Sequence, residues 1–123
     1  MPKVAILAGE PSGDMIASQL MSELNKRYKN IEYIGIGGPL MSKYGLKSYF
    51  DYSHLSVRGY FEALKNLPKL LKFRRSLINY LLQQKPDIFI GIDVPDFNFA
   101  IEKRLKANQI PTFHYVAPSV WAW

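Results

Sequence analysis

Short apolar runs alternate along the chain with longer segments whose apolar residues recur every three or four positions. Val4, Ala5, Ile6, Leu7 and Ala8 form an unbroken run that reads as a buried strand, halted by Gly9-Glu10-Pro11-Ser12-Gly13. A helix is predicted over about residues 14–28, with Ile16, Leu20 and Leu24 on one stripe, and Ser12 or Asp14 is placed to cap its first turn. A second strand over residues 31–36 stops at Gly37-Gly38-Pro39. A short helix over 40–44 and a brief strand near Ser48 follow. Residues 59–84 read as helix, with Pro68 kinking it or dividing it in two. A third strand over 87–92, a helix over 97–107 and a fourth main strand over 112–116 complete the pattern. Strands alternating with helices imply parallel pairing, and therefore an α/β layered domain.

The length of 123 residues suits one domain of this kind, and 48% apolar with 21% charged residues is an ordinary globular balance. The chain has no cysteine, which excludes a disulfide scaffold and a thiolate metal site and fits a reducing compartment. No apolar run approaches the ~20 residues of a membrane span, and the first residues lack the core and cleavage site of a signal peptide. A cytoplasmic protein is expected. The net charge of +6 favours anionic partners: phosphorylated substrates, anionic lipid surfaces or nucleic acid.

In an open parallel sheet, ligands bind beyond the carboxyl ends of the strands. Four loops fall there: Gly9 to Asp14, Gly35 to Pro39, Gly91 to Asn98, and His114 to Ser119. A dinucleotide fingerprint is absent. The first loop has only Gly9 and Gly13, and the second has Leu40 where the third glycine belongs. No phosphate-binding Gly-Lys-Ser/Thr occurs either, which argues against a free-standing flavodoxin-like regulator. The glycines either shape turns or let backbone approach a sugar or phosphate. Asp93 stands at the mouth of its strand, where a carboxylate either takes a proton from a substrate hydroxyl or caps a turn. Asp96 and Asn98 are ligand contacts or caps of the helix that follows, and Glu10 and Asp14 carry the same two readings. His114 is either a hydrogen-bonded core residue or a ligand contact. With only His54 besides it and no shared motif, a metal site is not expected.

Six basic residues, Lys65, Lys69, Lys72, Arg74, Arg75 and Lys85, follow one another from 63 to 86 with no acidic residue between them. They form either a solvated helix face or a surface that rests on anionic headgroups or phosphate. No nucleic-acid motif accompanies the charge, so a nucleic-acid partner is not expected.

Five blocks together resemble one family. They are Ala8-Gly9-Glu10-Pro11-Ser12-Gly13-Asp14, Gly35-Ile36-Gly37-Gly38-Pro39-Leu40-Met41, Ser56-Val57-Arg58-Gly59-Tyr60-Phe61-Glu62, Gly91-Ile92-Asp93-Val94-Pro95-Asp96-Phe97-Asn98, and the run from His114-Tyr115-Val116-Ala117-Pro118-Ser119 to Val120-Trp121-Ala122-Trp123. Their order and spacing are similar to lipid-A-disaccharide synthase, with Arg58 standing where methionine is expected. The resemblance implies a Rossmann-like parallel sheet with flanking helices, the N-terminal, acceptor-side half of a GT-B glycosyltransferase. It implies inverting transfer of 2,3-diacylglucosamine from UDP-2,3-diacylglucosamine to 2,3-diacylglucosamine-1-phosphate, lipid X. The products are the β-1,6-linked disaccharide phosphate of lipid A biosynthesis and UDP. Asp93 is the expected base. Glu10, Ser12, Gly13, Asp14, Gly37, Gly38, Asp96, Asn98, His114 and Ser119 are expected to hold substrate, with no metal and no cofactor. Lys65, Lys69, Lys72, Arg74 and Arg75 are expected to touch the inner membrane or phosphate groups. The donor-binding C-terminal half is expected to be missing, so that residues 1–123 form an incomplete domain without turnover of its own. A non-catalytic lipid- or phosphate-binding half-domain is the alternative.

Overall fold

The computed structural model describes residues 2–49, 67–93 and 95–115, with the backbone alone at 67, 69, 70, 95 and 96. Five strands are present among them: β1 (Lys3–Ala8), β2 (Glu32–Ile36), β3 (Leu46–Ser48), β4 (Ile88–Ile92) and β5 (Thr112–Tyr115). Four helices alternate with them: α1 (Pro11–Arg27), α2 (Pro39–Lys43), α3 (Leu67–Gln84) and α4 (Pro95–Ala107). The strands make one sheet in the order β3-β2-β1-β4-β5, and every pairing is parallel. This is a Rossmann-like α/β sheet with flanking helices, as the alternating pattern predicts.

Parallel strands buried on both faces need apolar residues at successive positions, which is why the strands read as continuous runs. Alternate residues of β1 serve opposite faces. Ala5 and Leu7 join Phe89, Leu77, Leu81, Phe97, Ile101 and Leu105 under α3 and α4. Val4, Ile6 and Ala8 join Ala17, Met21, Tyr33, Met41, Ile90 and Ile92 under α1 and α2.

The chain builds outward from β1 through β2 to β3, then returns to place β4 on the other side of β1. The strand order therefore reverses between β1 and β4, and the carboxyl ends at such a reversal are where open α/β sheets bind ligands. Ala8 pairs with Ile92 at that point. Gly13, in the first turn of α1, packs onto both: a Cβ there would lie 3.3 Å from Ala8 Cβ and 3.4 Å from Ile92 Cγ2. The small residues Gly13, Ala17 and Ser18, with Asp14 and Met21, form the buried face of α1. Ile16, Leu20 and Leu24, the expected stripe, lie on its flank and are partly buried. Close approach to the sheet selects small side chains, so the bulkiest stripe is not the innermost one.

Element ends differ modestly from the sequence reading. α1 begins at Pro11, because proline is favoured in a first turn where its missing N–H is not needed. Pro68 is the second residue of α3 as described, and the part of the expected helix over 59–66 lies outside the described residues. The Ser56 to Glu62 block, Lys65, Ser119 and the terminal tryptophans lie outside the described residues. β5 ends the described sheet, and Phe113 and Tyr115, alternate residues on one of its faces, are 60% and 47% exposed.

Candidate functional site

The rim above β1 and β4 carries Glu10 and Ser12 on one side and Asp93 on the other. Glu10 and Ser12 are exposed, and Asp93 is half-buried. Glu10 occupies the N-cap position of α1, but no side chain makes the capping bond there. Neither Ser12 nor Asp14 caps α1. Asp14 instead turns its buried carboxylate to the next helix. Oδ1 accepts the N–H groups of Gly38 at 3.0 Å and Met41 at 3.0 Å, and Oδ2 accepts that of Leu40 at 3.1 Å. It caps α2 from a distance, meeting the orphan donors of a first turn whose own cap residue, Gly38, has no side chain. A Cβ on Gly38 would collide with that carboxylate, and one on Gly37 with Met41 Sδ. The two glycines are thus explained by backbone closeness at this edge.

Asp93 follows β4 directly with φ of 51°, the left-handed region that aspartate tolerates better than most residues. Its N–H donates to Tyr115 O at 2.7 Å, and Asn98 Nδ2 donates to its carbonyl at 2.9 Å. Asn98 lies inside α4 and is fully buried, and its amide reaches back to the strand end rather than capping the helix. The backbone that aims Asp93 is therefore fixed from β5 and from α4 together. Asp96 belongs to the first turn of α4, described by backbone alone.

His114 pairs with Gly91, one residue below the rim. Its Nδ1 lies 2.8 Å from Glu102 Oε2, with side chains only 11% and 12% exposed. Phe99 covers the ring at a centroid distance of 4.8 Å. A Cβ on Gly91 would lie 3.0 Å from His114 Nδ1 and 3.1 Å from Asn98 Nδ2, so only glycine leaves room for this pair of side chains. Two buried atoms here have no hydrogen-bond partner among the described residues, Asn98 Oδ1 and His114 Nε2. Glu10 and Asp93 thus share the rim, while His114 sits deeper, on the α4 face.

Glu102 is absent from the sequence expectations. Its signal was the four-residue spacing from Asn98, which puts both on one face of a helix. Lys103 and Arg104 were missed as well. With Arg74, Arg75, Leu71, Ile78, Ala100 and Ala107 they line a groove of about 450 Å³ between α3 and α4, with no acidic residue in its wall. Arg74 also stands 5.8 Å from the centre of the Phe97 ring. Lys72 is exposed nearby on α3, which also carries Lys69. Among the described residues no cluster of three or more histidine, aspartate and glutamate side chains is arranged for a metal ion. No helix among them is long and apolar enough to cross a membrane.

Known proteins resemble this chain over nearly its whole length. The family model described as lipid-A-disaccharide synthetase matches residues 4–123. A lipid-A-disaccharide synthase of Idiomarina loihiensis is 53% identical over 122 residues, 99% of this chain and 32% of that protein. One from Methylobacillus flagellatus is 50% identical over 123 residues, 100% of the chain and 32% of the relative. One from Chromobacterium violaceum is 54% identical over 121 residues, 98% and 31%. The chain spans about a third of the length of these relatives. A match over nearly every residue, at half identity, shows that the chain belongs to the lipid-A-disaccharide synthase family, a family of glycosyltransferases of lipid A biosynthesis.

Proposed function

We propose that this chain supplies the acceptor side of an inverting, UDP-sugar-dependent hexosyltransferase of the GT-B kind. The observation that carries the reading is Asp93, a carboxylate at the strand-order reversal with its backbone held by both β5 and α4. The 6-hydroxyl oxygen of 2,3-diacylglucosamine-1-phosphate attacks the anomeric carbon of UDP-2,3-diacylglucosamine. Its proton passes to the Asp93 carboxylate. The bond from the anomeric carbon to the UDP oxygen breaks, and UDP leaves with the electron pair. Inversion follows from a single displacement. A positioned base is worth about 10²–10⁴ in rate.

Glu10 and Ser12 would contact the acceptor from the β1 side, and Asp96, Asn98, His114 and Ser119 from the β4 and β5 side. Gly13, Gly37 and Gly38 let the backbone close the crevice floor. Asp14, with its carboxylate already engaged by α2, would act through the Gly37-Gly38 loop it holds. UDP charge would be met by basic residues and helix N-termini, mostly in the two-thirds of the relatives' length beyond this chain. The enzyme would work at the cytoplasmic face of the inner membrane, with Lys65, Lys69, Lys72, Arg74 and Arg75 toward headgroups.

The test joins residues 1–123 to the remaining part of the Idiomarina loihiensis relative and follows UDP release with both lipid substrates. Turnover is expected, with Asp93→Asn lowering kcat by about 10²–10⁴. An unchanged kcat in that variant refutes the assignment. Clear turnover by residues 1–123 alone refutes the division of labour. A second reading, a lipid- or phosphate-binding half-domain without catalysis, is favoured by the cationic groove. It predicts co-sedimentation with anionic vesicles that Arg75→Glu with Lys103→Glu abolishes, together with a joined protein that binds but does not turn over.

A further inference from the structure

We propose that Glu102 is a positioning residue that sets the hydrogen-bond polarity of His114, making its Nε2 an acceptor for a sugar hydroxyl. The ring nitrogen and the carboxylate oxygen lie 2.8 Å apart with both side chains nearly buried, a contact that requires one proton between them. An ionised carboxylate only accepts, so Nδ1 carries the proton. In the neutral ring Nε2 then has a lone pair and no hydrogen.

The amide beside it has a fixed polarity too. Asn98 Nδ2 donates to Asp93 O, so the free end of that amide is Oδ1. His114 Nε2 and Asn98 Oδ1 are both buried and both without a partner among the described residues. The engaged ends of the two side chains, His114 Nδ1 and Asn98 Nδ2, meet over Gly91, at 3.0 Å and 3.1 Å from a Cβ built there. Two buried acceptors facing no donor select a ligand that brings donors. A hydroxyl-rich sugar does so with several donors, whereas inorganic phosphate near neutral pH brings mostly acceptor oxygens and negative charge, which two acceptors disfavour. Without Glu102 the ring would be free to carry its proton on Nε2, and the site would ask for the opposite ligand.

The sugar part of this inference rests on the acceptor-side reading above, but the tautomer does not. The test is a long-range proton–nitrogen correlation spectrum of the imidazole nitrogens in the ¹⁵N-labelled full chain near neutral pH. The chain has two histidines, so His54→Gln isolates the His114 signals. Wild type is expected to show a protonated Nδ1 and an unprotonated Nε2. Glu102→Ala is expected to move the proton largely to Nε2. Glucosamine 1-phosphate is expected to shift the wild-type Nε2 signal upfield, and inorganic phosphate to leave it in place. A wild-type ring protonated on Nε2, or on both nitrogens, overturns the role of Glu102 whatever the fate of the catalytic reading. The wild-type spectrum decides this even where Glu102→Ala fails to fold. The expected tautomer with no response to the sugar, or an equal response to inorganic phosphate, overturns the hydroxyl contact and removes His114 from the proposed acceptor site. Loss of the base role of Asp93 is read separately, from UDP release.

Discussion

Asp14 and His114 are buried polar side chains on opposite faces of the same sheet, and they are used in opposite ways. Asp14 gives its oxygens to the N–H groups of Leu40 and Met41 in α2 and of its cap residue Gly38, and so joins two helices. His114 has one nitrogen engaged by Glu102 and the other without a partner among the described residues. A polar group whose hydrogen bonds are all met inside the fold stabilises it. One that keeps a valence unmet carries a cost that folding alone does not repay. The contrast separates two residues that, as titratable groups near strand ends, look alike in the sequence.

The comparison can be broken most directly at Asp14. Asp14→Ala leaves the N–H groups of Gly38, Leu40 and Met41 without their acceptor and is expected to cost about 3 kcal/mol in urea unfolding. A loss under half of that would mean that water serves α2 equally well. Next in size is Gly91→Ala. The new methyl meets His114 and Asn98 at about 3 Å, so stability should fall by about 2 kcal/mol and the His114 ring signals should move.

Tyr33→Phe, beside α1, removes a hydroxyl that donates to Asn25 Oδ1 at 2.8 Å and should cost about 1 kcal/mol. Burial pushes the Tyr33 phenol above its ordinary range. The folded chain therefore keeps it neutral where the unfolded chain ionises. Its contribution is complete below pH ~10 and declines as pH rises beyond that. The variant should show a shallower alkaline loss in pH-jump unfolding. Tyr80, raised by burial and then by Glu32 and Tyr49, would leave part of the slope in place. The smallest effect is expected where both partners go at once. Glu102→Leu with His114→Leu replaces a buried polar pair by apolar groups and should change stability by less than about 1 kcal/mol. A large loss there would return the pair to the same class as Asp14.

Much of the fold was legible because parallel strands buried on two faces demand unbroken apolar runs, as at 4–8 and 88–92. The rim was legible for a related reason, since glycines and carboxylates stand at the ends of those runs. What was hidden is long-range. The acceptor role of Asp14 depends on backbone 24 to 27 residues away, so no local capping rule could assign it. Glu102 looked like one more charge on a surface helix, because its partner lies in a strand that the helix only meets after folding. Lys103 and Arg104 joined the α3 cations for the same reason: the groove belongs to two helices, and charge runs are read one helix at a time.

The outer side of β5 bears on how the protein must be handled. A strand that ends the described sheet while showing two aromatic rings to water is a template for pairing with another copy. Expressed without the remaining two-thirds of the family's length, residues 1–123 should stick to themselves as concentration rises, and mild detergent or a lysine at Phe113 should keep them apart.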